Sequence, residues 1–285
     1  MSSNDFQKLA ALEYPGRVLM FGRDITAKYN VIGYALTGRS PSSRARVLRR
    51  NEDGSFCTDV TDPELLQKGN PKLLLYNCVF RHHEQLMVSN GMQTDAILEA
   101  AVSSRLQSGG TTPLQVLTEA FSRPHWVDGN AAGEYIDITG YEPDAPTYTP
   151  RISGVMDRDR AAMTIVKRVQ DDANVSSGAM GDAQYRAFFD IPLRAGKGAI
   201  LSTYQGQNVP SGQSIPSFVG EPLEVGLTGS SPREVAEAMY AALGPKEAGE
   251  GILSPGQDFR VAVLVLFYHR DARKITHHII NRHEL

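Results

Sequence analysis

The chain has 285 residues, 41% hydrophobic and 21% charged, with a formal net charge of -3. That length buries a sizeable core, and the balance of charge gives no global basic field for nucleic acid. The longest apolar run, "VAVLVLFY" at 261–268, is too short to span a bilayer as a helix, and "MSSNDFQKLAALEY" lacks the basic and apolar regions of a signal peptide. The two cysteines, Cys57 and Cys78, fit a reducing cytoplasm better than a disulfide scaffold.

In chain order, residues 1–14 read as a short lead-in. Strands are expected at 16–23, 30–39 and 45–50, then at 71–80 and 84–90 with "RHH" turning between them. Helical spacing of Ile97, Leu98, Ala101 and Val102 predicts a helix from Thr94 to about Leu106, stopped by Gly109-Gly110. Thr112-Pro113-Leu114-Gln115 is a capping box with proline at the first helical position; it opens a helix with Leu114, Leu117, Ala120 and Phe121 on one face. Ser231-Pro232-Arg233-Glu234 repeats the device before "VAEAMYAAL". Further strands are expected at 151–157, 161–169, 185–193, 198–205, 259–270 and 274–282, the last two a hairpin around Asp271-Ala272. Long loops are expected at 124–150, 206–220 and 244–257. Many strands with few helices indicate layered sheets with helices outside, in one domain over 1–285.

Several chemistries are disfavoured. His82, His83, His125, His269, His277, His278 and His283 form no H-x-x-x-H on an expected helix, and there is no C-x-x-C, so no metal site is expected. Cys78 lies in an apolar strand and Cys57 in a polar loop, neither marked as a nucleophile. No Walker A or G-x-G-x-x-G cradle is present. Arg17, Arg23, Arg39, Arg44 and Arg151 fall at strand ends or in adjoining loops, where a planar guanidinium suits phosphate or carboxylate. Tyr76 and Asn77 put two polar groups into an apolar stretch; if buried, they need partners.

The ordered set Gly16-Arg17, Gly22-Arg23, "GRSPSSR" (38–44), "YNC" (76–78), "VSNGMQTD" (88–95), "YEPDAPTYTPRI" (141–152) and "LSTYQ" (201–205) resembles the archaeal-type IMP cyclohydrolases. The resemblance implies an α+β fold, a four-layer α/β/β/α sandwich like that of the N-terminal-nucleophile hydrolases but without their self-processed nucleophile. It implies closure of 5-formamidoimidazole-4-carboxamide ribonucleotide to IMP with loss of water, in the cytoplasm, with no metal or organic cofactor. The expected partners are the nucleotide substrate and IMP, with no nucleic acid or membrane; a homo-oligomer is open. Carried over residue by residue, it makes Arg44, Tyr76 and Glu142 catalytic, with Asp144 the alternative to Glu142. It makes Asn77, Asn90, Gly91, Thr94, Asp95, Thr149 and Arg151 nucleotide-binding, and Arg39 the phosphate ligand. Gln205 stands where the pattern has an acidic residue. An amidohydrolase on the same fold and a non-catalytic purine-nucleotide-binding protein are the alternatives.

Overall fold

The computed structural model describes residues 5–67, 70–108, 111–129, 133–169, 183–210 and 212–285. In chain order the elements are helix α1 (Gln7–Ala10), strands β1 (Arg17–Arg23) and β2 (Tyr29–Thr37), the short helix α2 (Pro41–Arg44), strands β3 (Arg46–Arg50) and β4 (Phe56–Val60), short helices α3 (Pro63–Gln67) and α4 (Pro71–Leu74), strands β5 (Asn77–His82) and β6 (Gln85–Ser89), helices α5 (Gln93–Ser108) and α6 (Pro113–Ala120), strands β7 (Trp126–Asp128), β8 (Tyr135–Asp137), β9 (Arg151–Met156), β10 (Ala161–Arg168), β11 (Gln184–Ile191), β12 (Lys197–Ser202) and β13 (Leu223–Gly226), helix α7 (Pro232–Ala242), and strands β14 (Arg260–His269) and β15 (Ile275–Asn281). The fold is α+β, its strand ladders antiparallel.

Six strands form one sheet in the order β13-β12-β1-β2-β14-β15, and seven form another, β11-β10-β9-β6-β5-β4-β3. Strand alternation explains how they pack. On β1, Leu19 and Phe21 join a core shared with Val88, Ile152 and Met163 of the second sheet. Val18 and Met20, on the opposite face, pack with Leu9 of α1 and Val235 and Met239 of α7. The second sheet's other face, through Met87, Val155 and Ala162, packs against Ile97 of α5 and Val116 and Leu117 of α6. The central strands are thus covered on both faces, which is why β14 is apolar throughout rather than alternating.

The capping box forms at Thr112 but not at Ser231, where the Glu234 carboxylate accepts from Ser230 N–H instead. Thr112 accepts from the Gln115 N–H while the Gln115 side chain accepts from Thr112, and Ser231 caps α7. The buried stripe of α6 is Pro113, Val116, Leu117 and Ala120, so Leu114, expected inside, is exposed at 37%. The strand expected over 71–80 is split: the Asn70 side chain caps a helical turn with Pro71 at its first position, and extended structure begins only at Asn77. The loop at 124–150 holds the β7–β8 hairpin, too short to read from periodicity. The Gly109-Gly110 stop, residues 1–4 of the lead-in, residues 130–132 of the first long loop and residue 211 of the second lie outside the described residues.

Gly154 on β9 is required where the sheets touch. A Cβ there would lie 2.4 Å from a Phe21 ring carbon. Gly154→Ala is expected to cost about 1–3 kcal/mol by overpacking, read as a lower urea midpoint with unchanged slope; an unchanged midpoint would contradict this close approach.

Candidate active site

A cavity of about 730 Å³ opens at one end of the sheets. That volume is in the range of small-molecule sites. Arg17, Arg46, Glu142, Asp144, Thr149 and Tyr204 line it, and Arg39 and Asn208 lie farther along its wall.

Arg17 is the first residue of β1. Its N–H donates to Thr203 Oγ1 at 3.1 Å, and Thr203 N–H donates to the Arg17 carbonyl at 3.0 Å. The chain reaches this position through Gly16 at φ +74, where a Cβ would meet Thr203 Oγ1 at 2.0 Å. The Arg17 Nη2 donates to both Glu142 oxygens at 3.3 Å. Glu142 is 1% exposed. Its N–H donates to the Thr149 carbonyl at 2.9 Å, closing a loop in which Asp144 accepts from the Thr149 N–H and hydroxyl at 2.6 and 2.5 Å. The Thr149 and Tyr204 hydroxyls share a hydrogen bond of 2.8 Å.

Arg151, the first residue of β9, brings its Nη1 within 3.9 Å of Glu142 and donates to Gln93 Oε1 at 3.1 Å. Arg46, the first residue of β3, donates to the Ser43 carbonyl at 2.9 Å. Tyr34 and Tyr76 lie buried behind the lining, their hydroxyls 2.7 Å apart. Tyr76 N–H is held by Thr58 Oγ1 at 3.0 Å.

Three N–H groups in this cluster, on Arg17 Nε, Arg46 Nη1 and Arg151 Nε, are buried without a hydrogen-bond partner. Each such group costs about 1–3 kcal/mol. Arg46 is 1% exposed and, among the described residues, has no carboxylate within ion-pair distance. Burial works against the charge of Arg17, but Glu142, with Tyr76, Tyr204 and Tyr34, outweighs it and holds the guanidinium firmly protonated. Burial pulls Arg46 and Arg151 below the usual arginine value, where arginine is still charged. Burial pushes Glu142 up, Arg17 pulls it down and Asp144 pushes again, for a net rise. Asp144 is also raised, by burial against its bonds from Thr149. The site therefore holds more positive than negative charge.

The expected site residues separate into groups. Glu142, Thr149 and Arg39 line the cavity. Arg39 donates to Asn208 Oδ1 at 3.1 Å and to the Val209 carbonyl at 2.9 Å, with its guanidinium over Tyr14. Tyr76 and Arg151 stand behind the lining. Arg44 turns its guanidinium to the Asp258 carbonyl at 3.2 Å; Arg46, two residues on, faces the cavity instead. Asn90 is spent on the frame: it donates to the Pro150 carbonyl and accepts from Ile152 N–H and Gln93, each at 2.9 Å. Thr94 bonds Ser89 and the Gly91 carbonyl. Gly91 is where Arg151 passes, 2.5 Å from where a Cβ would be. Asn77 accepts from Asn51 at 3.2 Å, and Asp95 is exposed on α5. None of Asn77, Asn90, Gly91, Thr94 and Asp95 lines the cavity.

Arg46, Tyr34, Tyr204 and Asn208 complete the cluster. Tyr204 belongs to the "LSTYQ" motif, but nothing in the sequence distinguishes Arg46 from its neighbours in "RARVLRR". Cys78 is buried and donates to the Phe56 carbonyl, its thiol pushed up by burial. Among the described residues, no three histidine, cysteine, aspartate or glutamate side chains come together as metal ligands, and no helix is long and apolar enough to cross a membrane.

A cavity with surplus arginine charge around a carboxyl pair whose proton affinities are raised by burial suits a small polar anion. The family model described as IMP cyclohydrolase-like protein matches residues 14–117 and 128–248, and the chain belongs to that family. No curated protein matches the chain. The matched segments include Arg17, Arg46, Tyr76, Glu142, Arg151 and Tyr204.

The raised Glu142 carboxyl sets a sign for stability. Its contribution is full below its unfolded-state value and is lost as pH rises through the higher folded-state value. Between about pH 4 and pH 7, wild type should therefore lose stability relative to Glu142→Gln. The substitution itself adds an offset from the changed contact to Arg17. Urea midpoints across that range measure the slope; a flat or opposite slope would contradict the raised value.

Proposed function

We propose that this chain is an IMP cyclohydrolase that closes 5-formamidoimidazole-4-carboxamide ribonucleotide to IMP with release of water. The observation carrying this reading is the set of three buried, unpaired arginine N–H groups around Glu142, within a family whose name is that activity. The two packed sheets, with α1 and α7 on one and α5 and α6 on the other, support a four-layer α/β/β/α architecture of the N-terminal-nucleophile type. The proposed setting is cytoplasmic.

The carboxamide nitrogen and the formyl carbon belong to one molecule, so proximity is largely supplied by the substrate. The protein has to select the reactive rotamer, stabilise the oxyanion and move protons. In the proposed mechanism Glu142 accepts a carboxamide proton as the new C–N bond forms. Arg17 and the free Nη1 of Arg46 stabilise the negative charge on the former formyl oxygen, a role the sequence resemblance gives to Arg44. Tyr76, coupled to Tyr34, relays a proton to that oxygen; the resulting hydroxyl takes the proton held by Glu142 and leaves as water, while the formamido nitrogen gives up its N–H proton as the ring C=N forms, which restores Tyr76. Thr149 and Arg151 hold the loop and carboxylate in place, and Arg39 with Asn208 takes the phosphate. Asn90, Gly91 and Thr94 act through the position of Arg151. Asn77 and Asp95 have no direct part.

The test is IMP absorbance after mixing folded protein with the formamido nucleotide. Glu142→Gln and Tyr76→Phe are each expected to lose at least about 100-fold in turnover. The acid limb of the wild-type rate should lie above 4.5, the usual glutamate value, because Glu142 is raised, and Glu142→Gln should lack that limb. No IMP formed by folded wild-type protein would refute the activity. Undiminished rates in both variants would refute the roles alone.

A further inference from the structure

The seven-stranded sheet ends at β11. Val169 N–H donates to the Ala183 carbonyl at 2.9 Å, and this pair lies in register with Lys167↔Tyr185 and Ile165↔Ala187. In an antiparallel ladder, alternate pairs exchange hydrogen bonds. The odd-numbered residues of β11 therefore turn their backbone groups toward β10. Gln184, Arg186, Phe188 and Asp190 turn theirs outward, to an edge with no neighbouring strand among the described residues.

Soluble proteins usually blunt such an edge with lysine, proline or a bulge. β11 runs for 8 residues without any of these. Three exposed apolar side chains, Val169, Tyr185 and Val219, at 38%, 50% and 55%, gather along one groove of about 510 Å³ beside it. A solvated edge strand does not require that concentration of apolar surface.

We propose that a second copy of this chain closes the edge, β11 against β11, antiparallel about a two-fold axis at Phe188. The charge pattern selects both occupant and register. Centred on Phe188, the pairing sets Arg186 opposite Asp190 of the second copy, and Asp190 opposite its Arg186. Centring on Arg186 or Asp190 would put like charges face to face. Centring on Ala187 or Phe189 would leave both charges without a partner. Among the described residues, Arg186 donates only to Gln184 Oε1, at 3.0 Å, and neither charge is in an ion pair. At the Phe188 pair and the two Arg186–Asp190 pairs the outward groups then make both backbone hydrogen bonds, while Gln184 faces Pro192, which has no N–H and only accepts. On the inter-sheet face, Tyr185 meets Ile191 and Ala187 meets Phe189, extending the apolar seam that Ala187 and Phe189 already join. The two sheets become one continuous sheet across an isologous interface. This inference is independent of the proposed reaction.

Light scattering after size exclusion, on the full chain, reads the mass. Wild type is expected to be a dimer at micromolar concentration. Arg186→Asp and Asp190→Arg each turn two attractive pairs into two repulsive ones and should weaken association by about 30-fold or more. The double variant Arg186→Asp/Asp190→Arg restores the complementarity and should restore the dimer. Circular dichroism melting confirms that every variant is folded. A monomeric wild type, which would leave the edge for an extended segment of another protein, would overturn the proposal. So would dimers that persist in both single variants, or a double variant as weak as the singles.

Discussion

The site depends on charges held out of water. Arg17, Arg46 and Arg151 are each the first residue of a strand, on β1, β3 and β9, and they converge with Glu142 at one end of the packed sheets. Burying charges is costly unless pairing repays it. Glu142 repays part of that cost for Arg17 and, at longer range, for Arg151. Arg46 has no such partner among the described residues. A cluster with more cation than anion, and with unpaired N–H groups on each arginine, has hydrogen-bond donors left over for the anion proposed to bind there. In a low-dielectric site those groups also act strongly on any charge that develops beside them.

Much of the surrounding structure serves to hold this cluster. Gly16 and Gly91 are small because the Thr203 hydroxyl and the Arg151 guanidinium occupy the space a Cβ would take. Asn90 ties the end of β6 to the start of β9 and so fixes Arg151. Glu13, buried at 4%, accepts N–H bonds from Asn208, Leu253 and Ser254. The N-terminal lead-in thereby anchors two long loops that wall the cavity. Those loops carry Asn208, Val209, Ser254 and Gln257 to the lining, a reason for connections longer than the packing of strands alone would need.

The frame was legible where local chemistry decides it. The capping box at Thr112 and the N-cap at Ser231 mark two helices because a side chain satisfies a free backbone N–H within four residues. The apolar run of β14 marks a strand covered on both faces. Short elements such as β4, β7, β8 and β13 span too few residues for a period to show. Glu142 was legible only through the ordered motif it belongs to, whereas Tyr76 also stood out as a polar group in an apolar stretch. Arg46 was not, because an arginine in "RARVLRR" reads as a solvated charge. Its burial is a tertiary fact, created when Ser43 and Thr37 close over its guanidinium. The residues "SNG-x-x-TD" read as a binding loop, and three of them, Asn90, Gly91 and Thr94, pack around or tie down the start of β9 that carries Arg151.

The adjacent Tyr76 and Asn77 show how finely this division runs. Both are polar groups at the start of an apolar strand, and both have partners inside the chain. Asn77 accepts from Asn51, at the far side of the strand from the cavity. Tyr76 pairs with Tyr34. Two hydroxyls that bond each other use one hydrogen between them, whichever is the donor, and one O–H is left over. Burial and the neighbouring Tyr76 raise the Tyr34 hydroxyl well above the usual tyrosine value. With Arg17 adjacent to both rings' electrostatic field, the left-over O–H is a neutral donor beside a cation. In the proposed reaction, that combination would favour protonating the substrate oxygen only as negative charge builds on it, and would leave a neutral carbonyl comparatively undisturbed.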